Sequence, residues 1–275
     1  MTPNPSFERT SRIKPREAAQ FRRWASLVVI YVDESIQHEL GYICVGFVYC
    51  ESPPDASIRS AIINAGLTPG EDEYKSGARM VDAESRRILR ESISHIVLQE
   101  CKLGVYIAPV SERPFLLTAI SETAEHIVRQ NQLSSPQAVF TDEGMRGVVQ
   151  RQEASPISLV SGCDSKAVLG IQLADYVAYH CSYLLKCALE GKSKMVVVDI
   201  PNHPKAEEEA ELDWLMRTEL RRNFFVEHRN IEEISGDDWF FKLAGYGAYF
   251  SLALDSRLKE VAMKTFDSMY FGCVW

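Results

Sequence analysis

Four aspartates stand where elements of the chain are expected to end or begin. Asp33 follows the apolar run Leu27-Val28-Val29-Ile30-Tyr31-Val32, and Asp142 follows Ala138-Val139-Phe140-Thr141. Asp164 follows a weaker strand pattern at Ile157–Ser161, and Asp175 falls in the first turns of a long helix. Between the first two lies Glu73-Tyr74-Lys75-Ser76, a carboxylate and an ammonium within one short stretch. Hard carboxylate oxygens without His or Cys company suit Mg2+ or Mn2+ rather than Zn2+. Two such ions about 4 Å apart clamp the attacking and leaving oxygens of an in-line phosphoryl displacement. That reaction needs positioned positive charge more than covalent help.

Each residue also has a plain structural reading, and both stand at this point. Asp142, two residues before Gly144, has the pattern of a turn former bonding its own backbone. Asp164 suits an N-cap. Lys75 can simply pair with Glu73 at the surface. Asp175 lies off the main apolar stripe of its helix, as a solvated carboxylate would; Gln172, one turn earlier, shares its side.

The elements that must carry these groups follow from apolar periodicity. Six consecutive apolar residues at 27–32 suit a strand covered on both faces. Gly41–Cys50 is its expected antiparallel neighbour, ended by Pro53-Pro54. A short helix is expected over 57–66, and a longer one over 83–98 with Asp82 as N-cap. A strand over 103–108 and a helix opened by Ser111 and Pro114 come next, then strands at 138–141 and 157–161. The clearest helix runs over 169–189 and stops at Gly191. Hairpin strands followed by β–α alternation indicate an α/β protein with a mixed sheet. Three parts are expected: a basic arm over 1–25, a core over 26–190 and an α-rich extension over 191–275. In that extension, 205–225 and most of Trp239–Leu254 read as helical, with Val196–Val198 as a stray strand. Its aromatic residues suit core packing or pairing of two chains, hence a homo-oligomer.

Asp33-Glu34-Ser35 after an apolar strand, Glu73-x-Lys75, an aspartate after a later strand, Asp164-Ser165-Lys166 and Gln172-Leu173-Ala174-Asp175 together resemble a bacterial domain-of-unknown-function family, number 3800. The resemblance spans about residues 26–190, and its Ser165–Asp175 segment is the most specific. Ile36 departs from it, since the family usually has Gly after Asp-Glu-Ser. The resemblance implies a ribonuclease-H-like fold with Asp33, Glu73, Asp142 and Asp175 as ligands of two Mg2+ or Mn2+ ions. It makes Lys75 a phosphate neutraliser, and it places Glu34, Ser35, Asp164, Ser165 and Gln172 around them or against substrate.

Composition sets the outer bounds. The chain has 275 residues, 46% hydrophobic and 25% charged, as in an ordinary soluble globular protein. Its net charge of −8 argues against a general polyanion binder. The arm at 1–25 nevertheless holds six bases against two acids, suited either to steering phosphates or to plain solvation. Seven scattered cysteines with no C-x-x-C pair fit reduced thiols in a cytoplasmic protein and argue against structural zinc. No stretch has the apolar length of a membrane span.

The expectation is therefore a metal-dependent nuclease acting on DNA or RNA, with defence or mobile-element biology as its setting. A non-catalytic scaffold on the same fold and a small-molecule phosphohydrolase are the alternatives.

Overall fold

The computed structural model describes residues 28–78, 83–145, 155–199, 207–225, 241–243, 247–266 and 269–271. The basic arm, Asp82, Trp239, Phe240 and Tyr246 lie outside them.

The chain is a mixed α/β protein. Strands β1 (Val29–Gln37) and β2 (Tyr42–Cys50) form a hairpin, and β-branched and aromatic residues dominate both. Helices α1 (Asp55–Asn64) and α2 (Glu84–Glu100) precede β3 (Cys101–Pro109). A 3-10 turn (Val110–Phe115) leads into α3 (Leu116–Gln130), followed by β4 (Gln137–Asp142) and β5 (Ile157–Cys163). Helix α4 (Ile171–Glu190) ends at Gly191, which takes the left-handed φ of 63° that L-residues resist. Ala83, not Asp82, is the N-cap of α2.

Six strands make the main sheet, in the order β5-β4-β1-β2-β3-β9, where β9 is Ala248–Phe250. β1, β4 and β5 run parallel, so their C-terminal ends share one edge of the sheet. β1 does not stop at Val32. It continues through Asp33, Glu34 and Ser35 to Gln37 because β2 keeps pairing with it, from Asp33↔Gly46 to Gln37↔Tyr42. On its other side the pairing with β4 ends at Val32↔Thr141, so Asp33 still emerges where two strands part.

Two apolar layers flank the sheet. Val29 and Tyr31 face α1, α2 and α4, whereas Ile30 and Val32 face Ile120, Ala124 and Ile127 of α3. Each fully buried aliphatic side chain there contributes about 1.5–3 kcal/mol. Strand alternation then assigns Asp33 to the α4 face and Glu34 to the α3 face.

The C-terminal part is less helical than its sequence suggests. β6 (Met195–Asp199) pairs antiparallel with β7 (Glu207–Glu211), so the expected helix over 205–225 shrinks to α5 (Leu212–Leu220). The acidic segment pairs along β6 instead, from Met195↔Glu211 to Asp199↔Glu207. The expected helix over Trp239–Leu254 is replaced by β8 (Phe241–Leu243) and β9. β8 pairs with β10 (Met269–Phe271), while β9 adds a parallel edge to β3 through Val105↔Ala248 and Ile107↔Phe250. Tyr249 and Phe250, expected as interface or core aromatics, pack against the core clusters. Helix α6 (Ser256–Phe266) packs on α4. No helix among the described residues is long and apolar enough to cross a membrane.

Candidate functional site

The site begins with a missing side chain. Gly46 is the register partner of Asp33. A Cβ at Gly46 would lie 2.7 Å from the amide nitrogen of Ala178 and 3.1 Å from the carbonyl oxygen of Ala174. Glycine therefore lets the backbone of α4 lie directly on β2. Asp175, next to Ala174 on that helix, is carried down beside Asp33. α4 is buried almost all round, including Gln172 at 1% exposure, so Asp175 is partly buried and not the solvated carboxylate of the helical-wheel pattern.

Asp33 is 8% exposed and its Oδ1 accepts the Glu34 amide at 2.7 Å. Burial, then repulsion from Asp175 and Asp142, pushes its carboxyl up to about 8. Burial likewise raises Asp175, against the stabilising Ser76 amide and Lys75. Burial disfavours the ammonium of Lys75, but Glu73, Asp142, Asp175 and Asp33 together outweigh it and hold its pKa above the ordinary value. One cation thus lies in the field of all four expected metal-binding acids. Its nearest carboxylate is Glu73, at 3.7 Å.

The segment Glu73–Ser76 is docked on α4 by backbone groups as well as side chains. The Tyr74 amide donates to Gln172 Oε1 at 2.8 Å, and Gln172 Nε2 donates to the Ser165 carbonyl at 3.0 Å. The Ser76 amide donates to Asp175 Oδ2 at 2.9 Å. The Ser165 hydroxyl donates to Glu73 and lies 3.4 Å from Lys75 Nζ, which donates to it. Arg90 Nη2 donates to the Ser76 carbonyl at 3.3 Å. Gln172 and Ser165, expected near substrate, are thus the joints that position Glu73 and Lys75.

Other expected residues are placed differently. Asp164 is exposed, and its Oδ1 accepts the Lys166 amide at 2.9 Å in a local turn, not at the start of a helix. Ser35 makes no side-chain hydrogen bond among the described residues and pairs with Cys44 across the hairpin. Glu34, on the opposite face from Asp33, meets Arg113 at 3.6 Å. Asp142 does form a turn, with Oδ2 accepting the Gly144 amide at 3.3 Å. The turn uses Oδ2 alone, and Oδ1 is buried with no partner among the described residues.

Tyr74, Ser76, Arg90 and Arg113 carry no sequence signal that marks them as part of a site. Ser76 comes nearest to one, since it closes the Glu73–Ser76 stretch. Nothing local marks Arg90 or Arg113, whose roles come from elements packed in space.

The chemistry of the donor set suits a hard divalent cation. Its donors are carboxylate oxygens, and Asp142 Oδ1 is a buried oxygen without a partner among the described residues. Such an orphan costs about 1–3 kcal/mol. Among the described residues no three His, Cys, Asp or Glu side chains close on one point at ion-holding distance.

No family model matches the chain, and neither does any curated protein. Among solved structures, a chain of the PCNA–RNase HII complex from Archaeoglobus fulgidus is similar over 65% of this chain and 84% of its own length. The identity is 12% and the TM-score 0.36, a likeness too loose to assign a fold family or an activity.

Proposed function

We propose that this chain is a metal-dependent nuclease, hydrolysing phosphodiester bonds of DNA or RNA on a ribonuclease-H-like core of the family-3800 kind. The observation that carries the reading is the position of Lys75 in the combined field of Glu73, Asp142, Asp175 and Asp33. Four acidic groups crowd one ammonium, and divalent ions would balance their charge and draw the proton off Asp33, whose carboxyl is pushed up to about 8. Asp33, Glu73, Asp142 and Asp175 would hold Mg2+ or Mn2+. When bound, these ions supply Lewis-acid polarisation of a phosphoryl oxygen and acidify a water for attack.

The chain's own residues do the rest. Lys75, nearly half exposed, presents its ammonium to a non-bridging phosphate oxygen and offsets the charge that develops there. Ser165 and Gln172 hold the Glu73–Ser76 segment in place, so that Lys75 needs no reorganisation on binding substrate. The Ser76 amide turns the Asp175 carboxylate and, with Lys75, works against the rise that burial imposes on it.

The test is an assay of single- and double-stranded DNA and RNA in Mg2+ or Mn2+, run beside Asp33→Asn and Asp175→Asn. Each variant is expected to lose activity by at least about 100-fold. Variants that cut as fast as the parent would refute the assignment. Turnover of mononucleotides without cleavage of polymers would move the reading to a small-molecule phosphohydrolase.

A further inference from the structure

A cavity of about 260 Å3 opens against the same Glu73–Lys75 segment, and its other walls play no part in the proposed reaction. Leu67, Ala78 and Leu89 make its apolar surface. Lys75, Arg86 and Lys166 bring three cations to it. Arg86 and Lys166 form no ion pair or side-chain hydrogen bond among the described residues. Three acids line it too, so these two cations stand out by lacking partners and not by excess charge. Asp72 Oδ2 accepts the Thr68 amide at 2.9 Å, and Glu73 accepts the Ser165 hydroxyl. Glu71 is exposed.

Cations without protein partners beside an aliphatic wall suit a ligand with a flat apolar part and an anionic part. A nucleotide has both, its phosphate meeting the guanidinium and ammonium groups and its base lying on the leucines. The volume falls just below the roughly 300–1,000 Å3 of pockets for drug-sized ligands, so it admits one nucleotide-sized group and not a base pair. Glu73 and Lys75 border this cavity and also belong to the acidic site. A nucleotide seated here is therefore a near neighbour of the phosphate at Lys75.

We propose that this cavity receives one unstacked nucleotide of a nucleic-acid strand, flanking the scissile phosphate, with its own phosphate on Arg86 and Lys166. The inference rests on the nuclease reading for the identity of the strand and deepens it. The substrate is single-stranded, or locally unpaired, at the position next to the cut. A duplex would have to surrender one base pair to fill the pocket, at a cost of a few kcal/mol.

The experiment measures binding without cleavage, by fluorescence anisotropy of labelled oligonucleotides in EDTA across a salt series. Arg86 is exposed and Lys166 partly so, and the double variant Arg86→Gln/Lys166→Gln is expected to keep the parent's melting temperature. Its affinity for a single strand should fall at least tenfold. Its plot of log affinity against log salt should flatten by about 0.7, the value for the one phosphate no longer neutralised. Ala78→Phe narrows the cavity without changing charge, and should weaken single-strand binding while leaving the salt slope as in the parent. A blunt duplex should bind more weakly than the single strand to the parent and respond little to Ala78→Phe. Equal binding by the double variant and the parent would overturn the proposal. So would displacement of the strand by an equimolar free mononucleotide, which would make the pocket a nucleotide site with no strand preference. If the parent shows the binding pattern but cuts nothing in Mg2+ or Mn2+, the nuclease reading fails and the pocket stands. If it cuts and the variants bind unchanged, the pocket fails alone.

Discussion

The backbone amide of Ser76 donates to Oδ2 of Asp175 at 2.9 Å, joining residues 99 positions apart. The same serine's hydroxyl reaches the Asp175 carbonyl at 3.2 Å, so the loop grips both the side chain and the backbone of the helix. Charge-assisted bonds of this kind are roughly twice as strong as neutral ones. This grip decides where Lys75 stands relative to the acids, and the expected consequences can be measured.

Divalent metal should raise the melting temperature of the parent, by roughly 5–10 °C at 100 times the dissociation constant. Asp33→Asn removes a buried carboxylate crowded by Asp142 and Asp175. Without metal it should melt a few °C higher than the parent, and most of the gain with Mn2+ should disappear. Thermal scans in EDTA and in Mn2+ read both effects. A parent indifferent to Mn2+ would count against a metal site.

Gly46→Ala puts a methyl group 2.7 Å from the backbone nitrogen of Ala178. Overpacking of this kind costs about 1–3 kcal/mol, and α4 must lift to relieve it. Activity at the proposed site should fall by more than the loss of stability explains, because Asp175 moves with the helix. Denaturant unfolding and cleavage rates on the same preparation separate the two effects.

Gln172→Leu leaves the Tyr74 amide and the Ser165 carbonyl without their partner. Two buried orphans should cost about 2–4 kcal/mol, and the 67–78 segment should become sensitive to limited proteolysis. Gln172→Glu keeps the acceptor for Tyr74 but sets a buried carboxyl oxygen against the Ser165 carbonyl, and should be no milder.

His180 is 4% exposed and its Nδ1 lies 2.6 Å from the Tyr176 carbonyl oxygen. Burial, helped by the positive charge of Arg90 and opposed by that hydrogen bond, lowers its pKa from 6.5 to about 4. Below pH 6.5 the unfolded chain takes up a proton that the folded chain refuses. Stability should therefore decline as pH falls from 6.5 toward 4, by roughly 3 kcal/mol in all. Buried carboxylates titrate in the same range with the opposite sign, so the quantity to measure is the difference between the parent and His180→Asn across pH. A constant difference would contradict the assignment.

Asp164→Ala serves as the contrast. An exposed turn carboxylate bonded to its own loop should contribute within about 1 kcal/mol, and its loss should leave cleavage close to that of the parent.

The paired carboxylates and Lys75 could be read from the chain because their residue types state their chemistry and strand ends state where chemistry gathers. Helix α4 was readable from its length and its terminal glycine. Asp164 was not separable from the others, since a turn former and a ligand look alike when only one dimension is available. Nor could the sequence show that Glu34 faces away from Asp33 to meet Arg113, although alternation within an extended β1 requires it.

In the C-terminal third, propensity was overruled by pairing. Glu207–Glu211 and Ala248–Phe250 became strands because β6 and the open edge of β3 were available to them. The amino-acid order by itself determined the apolar runs that become the sheet, the glycine that lets α4 approach and the acids at the ends of elements. Only the tertiary structure decided which acids meet, because a carboxylate's field reaches its neighbours in space, and α4 lying on Gly46 sets who those neighbours are.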